Sequence, residues 1–315
     1  MDRTCAIVQG NLRTERIHDI VQTLQKDFDS VVVSCWEDDR LMGQKLRCPV
    51  IYNRRPAHPG LSNRNLQRLS VDAGLTWACE QGATHVLKWR TDMLPTKLNI
   101  ATLLSYVREQ PDSLLGGRIV VPAFRNLTVT ADWFSSVPDL FAFGPIEAMS
   151  SLWGVSPSFD FSLPFNVPPT MRDDLGDSWQ KGKSLEDVAG YYCAETEVYA
   201  WFRDSVERTF GINLDHQRIV RDFFRLINHA DLQICWFGTD GFRPIGQAWE
   251  HPWWTVAQWR HGSPYAVKPG YEKTYWWQTV RAKLNPGRLR SEIRKQATWY
   301  KNYQKKMGIT DPIGK

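Results

Sequence analysis

Short β-rich apolar runs alternate with helix-length amphipathic stretches over the first 125 residues, and this alternation limits the possible folds more than any other feature. Cys5-Ala6-Ile7-Val8 reads as a strand that breaks at Gln9-Gly10, and Thr14–Lys26 as a helix with Ile17, Ile20, Val21 and Leu24 on one face. Val31-Val32-Val33 is a second strand ending near Trp36-Glu37-Asp38-Asp39, and Val50-Ile51-Tyr52 a short third. Ser62 reads as the N-cap of a helix running to about Gln81, with Gly82 just past its end. Val86-Leu87-Lys88-Trp89 and Ile119-Val120-Val121 are further strands. Repeated strand–helix–strand units predict an α/β fold with a mostly parallel central sheet and helices on both faces. Ligands of such sheets gather at the carboxyl ends of the strands. Every early strand here except the third ends in polar residues, so that edge is the expected site.

Two segments at that edge carry chemistry. The strand through Trp89 breaks into Arg90-Thr91-Asp92, where an acid can hold a divalent cation and an arginine can grip phosphate oxygens with two hydrogen bonds. The plainer reading is an Arg–Asp pair that fixes a loop. On the helix from Ser62, the polar or small residues Asn63, Gln67, Ser70 and Gly74 form one stripe, while Leu66, Leu69, Ala73 and Trp77 form another that is expected to be core. A solvated stripe usually carries Lys and Glu; this one has neither. Its start, with Asn63 and nearby Arg64, suits a nucleotide phosphate or ribose.

After Pro122 the texture changes, and residues 130–180 are rich in Pro, Ser, Asp and aromatics without a long helical period. Val198, Phe202, Val206 and Phe210 then recur at helical spacing from about Thr196, and Gly211 closes that helix. From Asp231 onward Trp, Gly and Pro dominate, followed by a basic tail. The expected organisation is a catalytic domain over 1–230 and a Trp-rich, basic and partly helical C-terminal extension over 231–315. The formal charge of +5 is unevenly spread: Lys268–Met307 holds eleven Lys/Arg against Glu272 and Glu292, which leaves the rest of the chain net negative. Trp276, Trp277, Trp299, Tyr300 and Tyr303 lie among those cations, a mixture that suits an anionic membrane surface, although a solvated charged helix would look similar.

Other classes fall away. No stretch approaches the roughly 20 apolar residues of a membrane-spanning helix, and Met1–Cys5 does not open an export signal, so a cytoplasmic location is expected, peripheral to a membrane if the tail docks. Cys5, Cys35, Cys48, Cys79, Cys193 and Cys235 show no paired spacing for zinc or a disulfide framework. No GxSxG, Walker A loop or HExxH occurs.

Taken in order, Ala6-Ile7-Val8-Gln9-Gly10, Val33-Ser34-Cys35-Trp36, Asn63-x-Asn65-x-Gln67-x-x-Ser70-x-x-x-Gly74-Leu75 and Val86-Leu87-Lys88-Trp89-Arg90-Thr91-Asp92 resemble the WavE-type lipopolysaccharide-synthesis family. Asp139-Leu140-Phe141-Ala142-Phe143-Gly144 and Glu197-Val198-Tyr199-Ala200-Trp201 resemble its two later motifs, so the resemblance spans about residues 4–205. It implies a GT-A-type glycosyltransferase, a Rossmann-like single domain that binds a nucleotide-sugar donor and serves a glycan or lipid-linked glycan acceptor. By this resemblance Gln9 and Gly10 would line the nucleotide pocket with Trp36 nearby, Asn63 and Gln67 would contact the donor, and Asp92 would stand where the second acid of a DxD motif stands. Arg90 replaces the first acid, so Asp92 would hold Mg²⁺ or Mn²⁺ alone or Arg90 would partly replace the metal. Leu66 departs from the family's arginine, with Arg64 and Arg68 close by. If transfer inverts the anomeric centre, the general base is expected at Glu197, then Glu195, with Asp139 in reserve, although acids in a first helical turn also serve the macrodipole. Trp133, Trp153, Trp249, Trp253, Trp254 and Trp259 are candidate sugar-stacking faces. Two other readings stand beside this one. A sugar nucleotidyltransferase would need a Gly-rich basic loop, of which Gln9–Arg13 is a poor version. A non-catalytic glycan or nucleic-acid binder would leave the polar strand ends without a purpose, and no nucleic-acid partner is expected.

Overall fold

The computed structural model describes residues 2–12, 16–60, 63–95, 98–109, 114–122, 137, 139–163, 166, 168–169, 194–211, 219, 222–227, 235–238 and 241–244. The elements are β1 (Thr4–Gln9), α1 (Ile17–Leu24), β2 (Ser30–Trp36), a 3₁₀ turn at Glu37–Asp39, α2 (Arg40–Gly43), β3 (Val50–Asn53), α3 (Arg64–Glu80), β4 (His85–Arg90), β5 (Met93–Leu94) and α4 (Ile100–Arg108). They continue with β6 (Ile119–Pro122), β7 (Ala142–Pro145), α5 (Ile146–Trp153), α6 (Ala194–Phe210), β8 (Phe224–Ile227), β9 (Cys235–Gly238) and β10 (Gly241–Pro244).

Seven strands form the central sheet in the order β3-β2-β1-β4-β7-β6-β8. The pairs β1–β2, β1–β4, β2–β3 and β6–β8 are parallel, and only β7 runs against its neighbours. The α/β fold with a mostly parallel sheet is therefore as expected. Side chains of β1 alternate between two cores: Cys5 and Ile7 join α3, α5 and α6 on one face, while Ala6 and Val8 join α1 and α4 on the other. A strand buried on both faces reads as a continuous apolar run, which is why these strands were visible in the sequence.

The direction of β7 matters for the site. Lys88 pairs with Ala142 and His85 with Pro145, so β7 starts at the carboxyl end of β4. The residue just upstream, Asp139, is thereby delivered to the end of β4 that carries Arg90 and Asp92. A second, three-stranded sheet, β10-β9-β5, lies beside it, with β5 pairing antiparallel to β9 through Met93–Trp236 and Leu94–Cys235. The first strands after residue 230 are thus hydrogen-bonded to the segment that follows Asp92. The rest of the extension, including 268–307, lies outside the described residues, as do Trp133, Trp249, Trp253, Trp254 and Trp259.

Three expectations need correction. The third strand also ends in a polar residue: Asn53 is buried and donates from Nδ2 to Ser34 Oγ at 2.9 Å and to the Cys35 carbonyl at 2.9 Å, tying β3 to the end of β2. On α3, Leu66, Leu69, Ala73 and Trp77 are not the fully buried face. The buried face is Arg64, Asn65, Arg68, Ser70, Val71, Gly74, Leu75 and Ala78. The cause is close approach to β1: a Cβ built on Gly74 would lie 2.3 Å from Ile7 Cγ2. Only small residues let the helix backbone lie this near the sheet, so the stripe of small residues faces inward. The start of α3 also differs: its N-cap is Asn63, which is exposed with a left-handed φ of 64°, a conformation Asn tolerates. The short α5, inside a region that reads as irregular, buries Ile146, Ala148, Met149, Leu152 and Trp153.

Gly74→Ala tests the close approach. The added methyl gains about 1 kcal/mol of helix propensity, and overpacking costs ~1–3 kcal/mol, so a net loss is expected as a lower urea midpoint at unchanged slope. An unchanged or higher midpoint would show that α3 has room to move.

Candidate functional site

The candidate site lies at the carboxyl ends of β1, β2 and β4, under the first turns of α3. Gln9 ends β1 in register with Arg90 at the end of β4. The pairing continues one residue further, with Thr91 N–H donating to the Gln9 carbonyl at 3.1 Å and Gly10 N–H to the Ser34 carbonyl at 3.2 Å. Gly10 has a φ of 130°, and a Cβ there would lie 2.7 Å from Thr91 Oγ1, so both backbone conformation and space require glycine. Gln9 is buried and accepts from Ser70 Oγ at 3.1 Å, which couples the end of β1 to α3. Trp36 is also buried, with the Arg55 guanidinium 5.0 Å from its ring centroid. Arg55 in turn donates to Asp38 at 2.7 Å and to Asn11 Oδ1 at 2.9 Å.

Arg90 organises the centre. Its Nε and Nη2 donate to the two oxygens of Asp92 at 2.8 and 2.7 Å, and its Nη1 donates to Asp139 Oδ2 at 2.6 Å. Gln67 Nε2 donates to the same Asp139 oxygen at 2.8 Å, and Lys88 Nζ donates to the Asp139 backbone carbonyl. Burial alone would raise the Asp139 pKa, but Arg90, Lys88 and Arg64, with the Gln67 hydrogen bond, hold it well below the usual carboxylate range. Of the residues named from sequence, Gln9, Gly10, Gln67, Arg90, Asp92 and Asp139 therefore meet in one place. Asn63 sits at the outer lip of α3, and Trp36 lies under Arg55 instead of offering an open face.

A second group lies behind the first. Glu197, in the first turns of α6, is 1% exposed, and burial pushes its carboxyl up to about 7 against the pull of Arg64 and Arg68. The Asn166 N–H donates to its Oε2 at 3.5 Å, while Oε1 has no hydrogen-bond partner. Trp201 Nε1 holds the Asn166 carbonyl at 3.0 Å. Arg68 donates to the Gly154 carbonyl at 2.8 Å. Arg64 links the two groups, because its charge acts on Lys88, Asp139 and Glu197 alike. Glu195 belongs to the same helix, but its side chain lies outside the described residues. Lys88, missed as a site residue, had a sequence signal: a lysine in the middle of a strand that is otherwise apolar. It is fully buried, 4.5 Å from the Trp153 ring centroid, and burial lowers its pKa to about 7, with the nearby arginines adding to the effect. Trp153 itself is 0% exposed inside the core, so it is not a sugar-stacking face.

The residues present do not suit a divalent cation. Both Asp92 oxygens accept from Arg90, Asp139 is shared by Arg90 and Gln67, and no group of three or more His, Cys, Asp or Glu among the described residues could hold a metal. A cation at Asp92 would have to displace a bidentate arginine and sit near Lys88.

No protein-family profile matches the sequence, and no curated protein matches it either. Partial structural likeness is found to TarS from S. aureus (13% identity, TM-score 0.32, covering 47% of this chain and 29% of that one). Others are mannose-1-phosphate geranyltransferase from Thermus thermophilus (12%, 0.35, 64% and 71%) and mouse xyloside xylosyltransferase 1 in its apo form (11%, 0.34, 77% and 99%). The chain spans less than a third of TarS. At these scores the likenesses assign neither family nor activity, and the WavE-type resemblance rests on the quoted residues alone. No helix among the described residues is long and apolar enough to cross a membrane.

Glu197 makes stability depend on pH. Its folded pKa of about 7 lies above the ordinary 4.5, so its contribution is fully present below about pH 4.5 and is lost as pH rises through about 7. The loss is on the order of 3 kcal/mol. Lys88, lowered to about 7, titrates in both chains, so urea unfolding at about pH 5 and about pH 8 should show the parent chain losing more stability than Glu197→Gln by about this amount; an equal change in both would show that Glu197 titrates normally.

Proposed function

We propose that the protein is a glycosyltransferase that moves a sugar from a nucleotide-sugar donor to a glycan acceptor with inversion at the anomeric carbon. The observation that carries this reading is the convergence of Gln9, Gly10, Gln67, Arg90, Asp92 and Asp139 at the carboxyl edge of the parallel strands, with the Glu197 carboxyl behind them. The donor's nucleotide lies along Gln9 and Gly10, and its diphosphate faces Arg90.

Among the acids, Glu197 suits a general base best. A base works most effectively when its pKa lies near the operating pH, and Glu197 has both a raised pKa and an oxygen without a hydrogen-bond partner. Asp139 is held ionised by its cations and is a poor proton acceptor. The acceptor hydroxyl oxygen attacks the anomeric carbon, its proton passes to Glu197, and the bond from that carbon to the phosphate oxygen breaks to release a nucleoside diphosphate. Glu197 is buried with the Asn166 N–H on its carboxyl, so this contact must open for the acceptor to reach it. The acceptor class is a lipopolysaccharide, capsule or other lipid-linked glycan, a reading that rests on the WavE-type resemblance. Residues 268–307 would bring the enzyme to the anionic inner face of the membrane that carries such acceptors.

The test is nucleoside diphosphate release across a panel of nucleotide sugars. Turnover with at least one donor is expected, and Glu197→Gln should lower kcat by ~10²–10⁴-fold and abolish the pH dependence near 7. No release with any donor would reject the transferase reading, and consumption of added pyrophosphate with formation of a nucleoside triphosphate and a sugar 1-phosphate would indicate a nucleotidyltransferase. Asp92→Ala frees Arg90 and should reduce kcat by at least about tenfold; full activity would put the donor elsewhere.

A further inference from the structure

We propose that the site takes the donor's diphosphate on a preorganised cluster of cations, with Arg90 at the mouth and Lys88 and Arg64 behind it, and uses no divalent metal there. This rests on the transferase reading for the identity of the anion, but not for the existence of the seat.

Three observations carry it. The first is that the acids are already engaged: Asp92 and Asp139 both bind Arg90, so neither is arranged as a cation ligand. The second is a charge imbalance. Asp92 and Asp139 are both bonded to Arg90, while among the described residues no carboxylate is hydrogen-bonded to the buried Arg64 guanidinium. Uncompensated buried charge is costly, and an arriving anion removes that cost. The third is Arg64 itself. It is 0% exposed, and its Nε, Nη1 and Nη2 have no hydrogen-bond partner, with the Trp153 ring centroid 5.9 Å from its Cζ. It opens α3, a helix of 17 residues, where the positive end of the helix adds to the same field.

Exposure grades the three cations. The Arg90 side chain is 20% exposed and can meet a phosphate oxygen directly. Lys88 and Arg64 are closed from solvent and supply charge from behind, in surroundings of low dielectric where their field is weakly screened. When the sugar–phosphate bond breaks, the charge that develops on the leaving diphosphate falls into this field. No group has to reorganise for that to happen.

Calorimetric titration with inorganic pyrophosphate, UDP and GDP tests the seat, each in EDTA and in Mn²⁺ after correction for metal complexed by the anion. Pyrophosphate and at least one nucleotide should bind equally well in both conditions. Arg64→Met should weaken that binding at least about tenfold, while Arg64→Lys, which keeps the charge, should retain most of it. Thermal unfolding provides the second readout. Removing a buried cation that has no hydrogen-bond partner should leave the midpoint unchanged or raised, whereas loss of a merely structural arginine would lower it. The proposal is overturned by undiminished pyrophosphate binding in Arg64→Met, by a lowered midpoint in that variant, or by Mn²⁺ bound at the site in electron paramagnetic resonance. Binding of pyrophosphate with no turnover of any nucleotide sugar would leave the seat standing and reject the transferase reading alone. Turnover that requires Mn²⁺ would do the reverse.

Discussion

The close contact between α3 and β1 sets the position of nearly everything at the candidate site. Gly74 lies against Ile7 with no room for a methyl group, and one turn toward the helix start Ser70 bonds Gln9. A helix pinned at those two points can only place its next inward residues over the ends of β1 and β4. Gln67 therefore reaches Asp139, and Arg68 and Arg64 lie beyond it in the direction of α5 and α6. Asn65 fixes the start of the helix from the other side, donating to the His58 and Leu163 carbonyls at 3.0 and 2.9 Å. The site geometry thus follows from packing: a larger residue at position 74 would lift the helix and move its polar side chains away from the strand ends.

Arg90 then does by electrostatics what α3 does by packing. It joins the end of β4 to the segment leading into β7, two pieces far apart in sequence, through a bidentate bond to Asp92 and a single bond to Asp139. Because β7 runs antiparallel, Asp139 arrives at the same edge as the ends of the parallel strands. A parallel β7 would have left it at the opposite edge. The plainer reading of Arg90-Thr91-Asp92 as a pair that fixes a loop is therefore correct as far as it goes. That fixation also engages both Asp92 oxygens, which a divalent cation would have to take from Arg90.

Strand positions were legible because parallel strands buried on both faces must be apolar throughout, as in Ala6-Ile7-Val8 and Val31-Val32-Val33. The inward face of α3 was not, because hydrophobicity was used as the guide where size was the governing quantity: Leu66 and Trp77 are more apolar than Ser70 and Gly74, yet too large for the contact with β1. Arg90, Asp92, Gln67 and Asp139 could be named one by one, but their mutual bonds depend on the direction of β7, which no local pattern encodes. Lys88 was overlooked since a strand lysine ordinarily marks a solvent-facing position. Here strand alternation turns it toward the core that contains Trp153, where its charge is kept by Asp139 and opposed by burial.

Glu197 and Arg64 belong to one electrostatic problem. Each is buried, each has polar atoms without hydrogen-bond partners, and the Arg64 charge acts directly on the Glu197 carboxyl. With Glu197 protonated, Arg64 has no full counter-charge on that side and the cluster's excess of positive charge is at its largest, which favours entry of an anion. With Glu197 ionised, the two partly neutralise one another, and an anion that draws on the charge of Arg64 would remove part of that support from the carboxylate. Binding of the anion should therefore raise the proton affinity of Glu197. That coupling needs no movement of either side chain, only the long reach of charge in a dry interior.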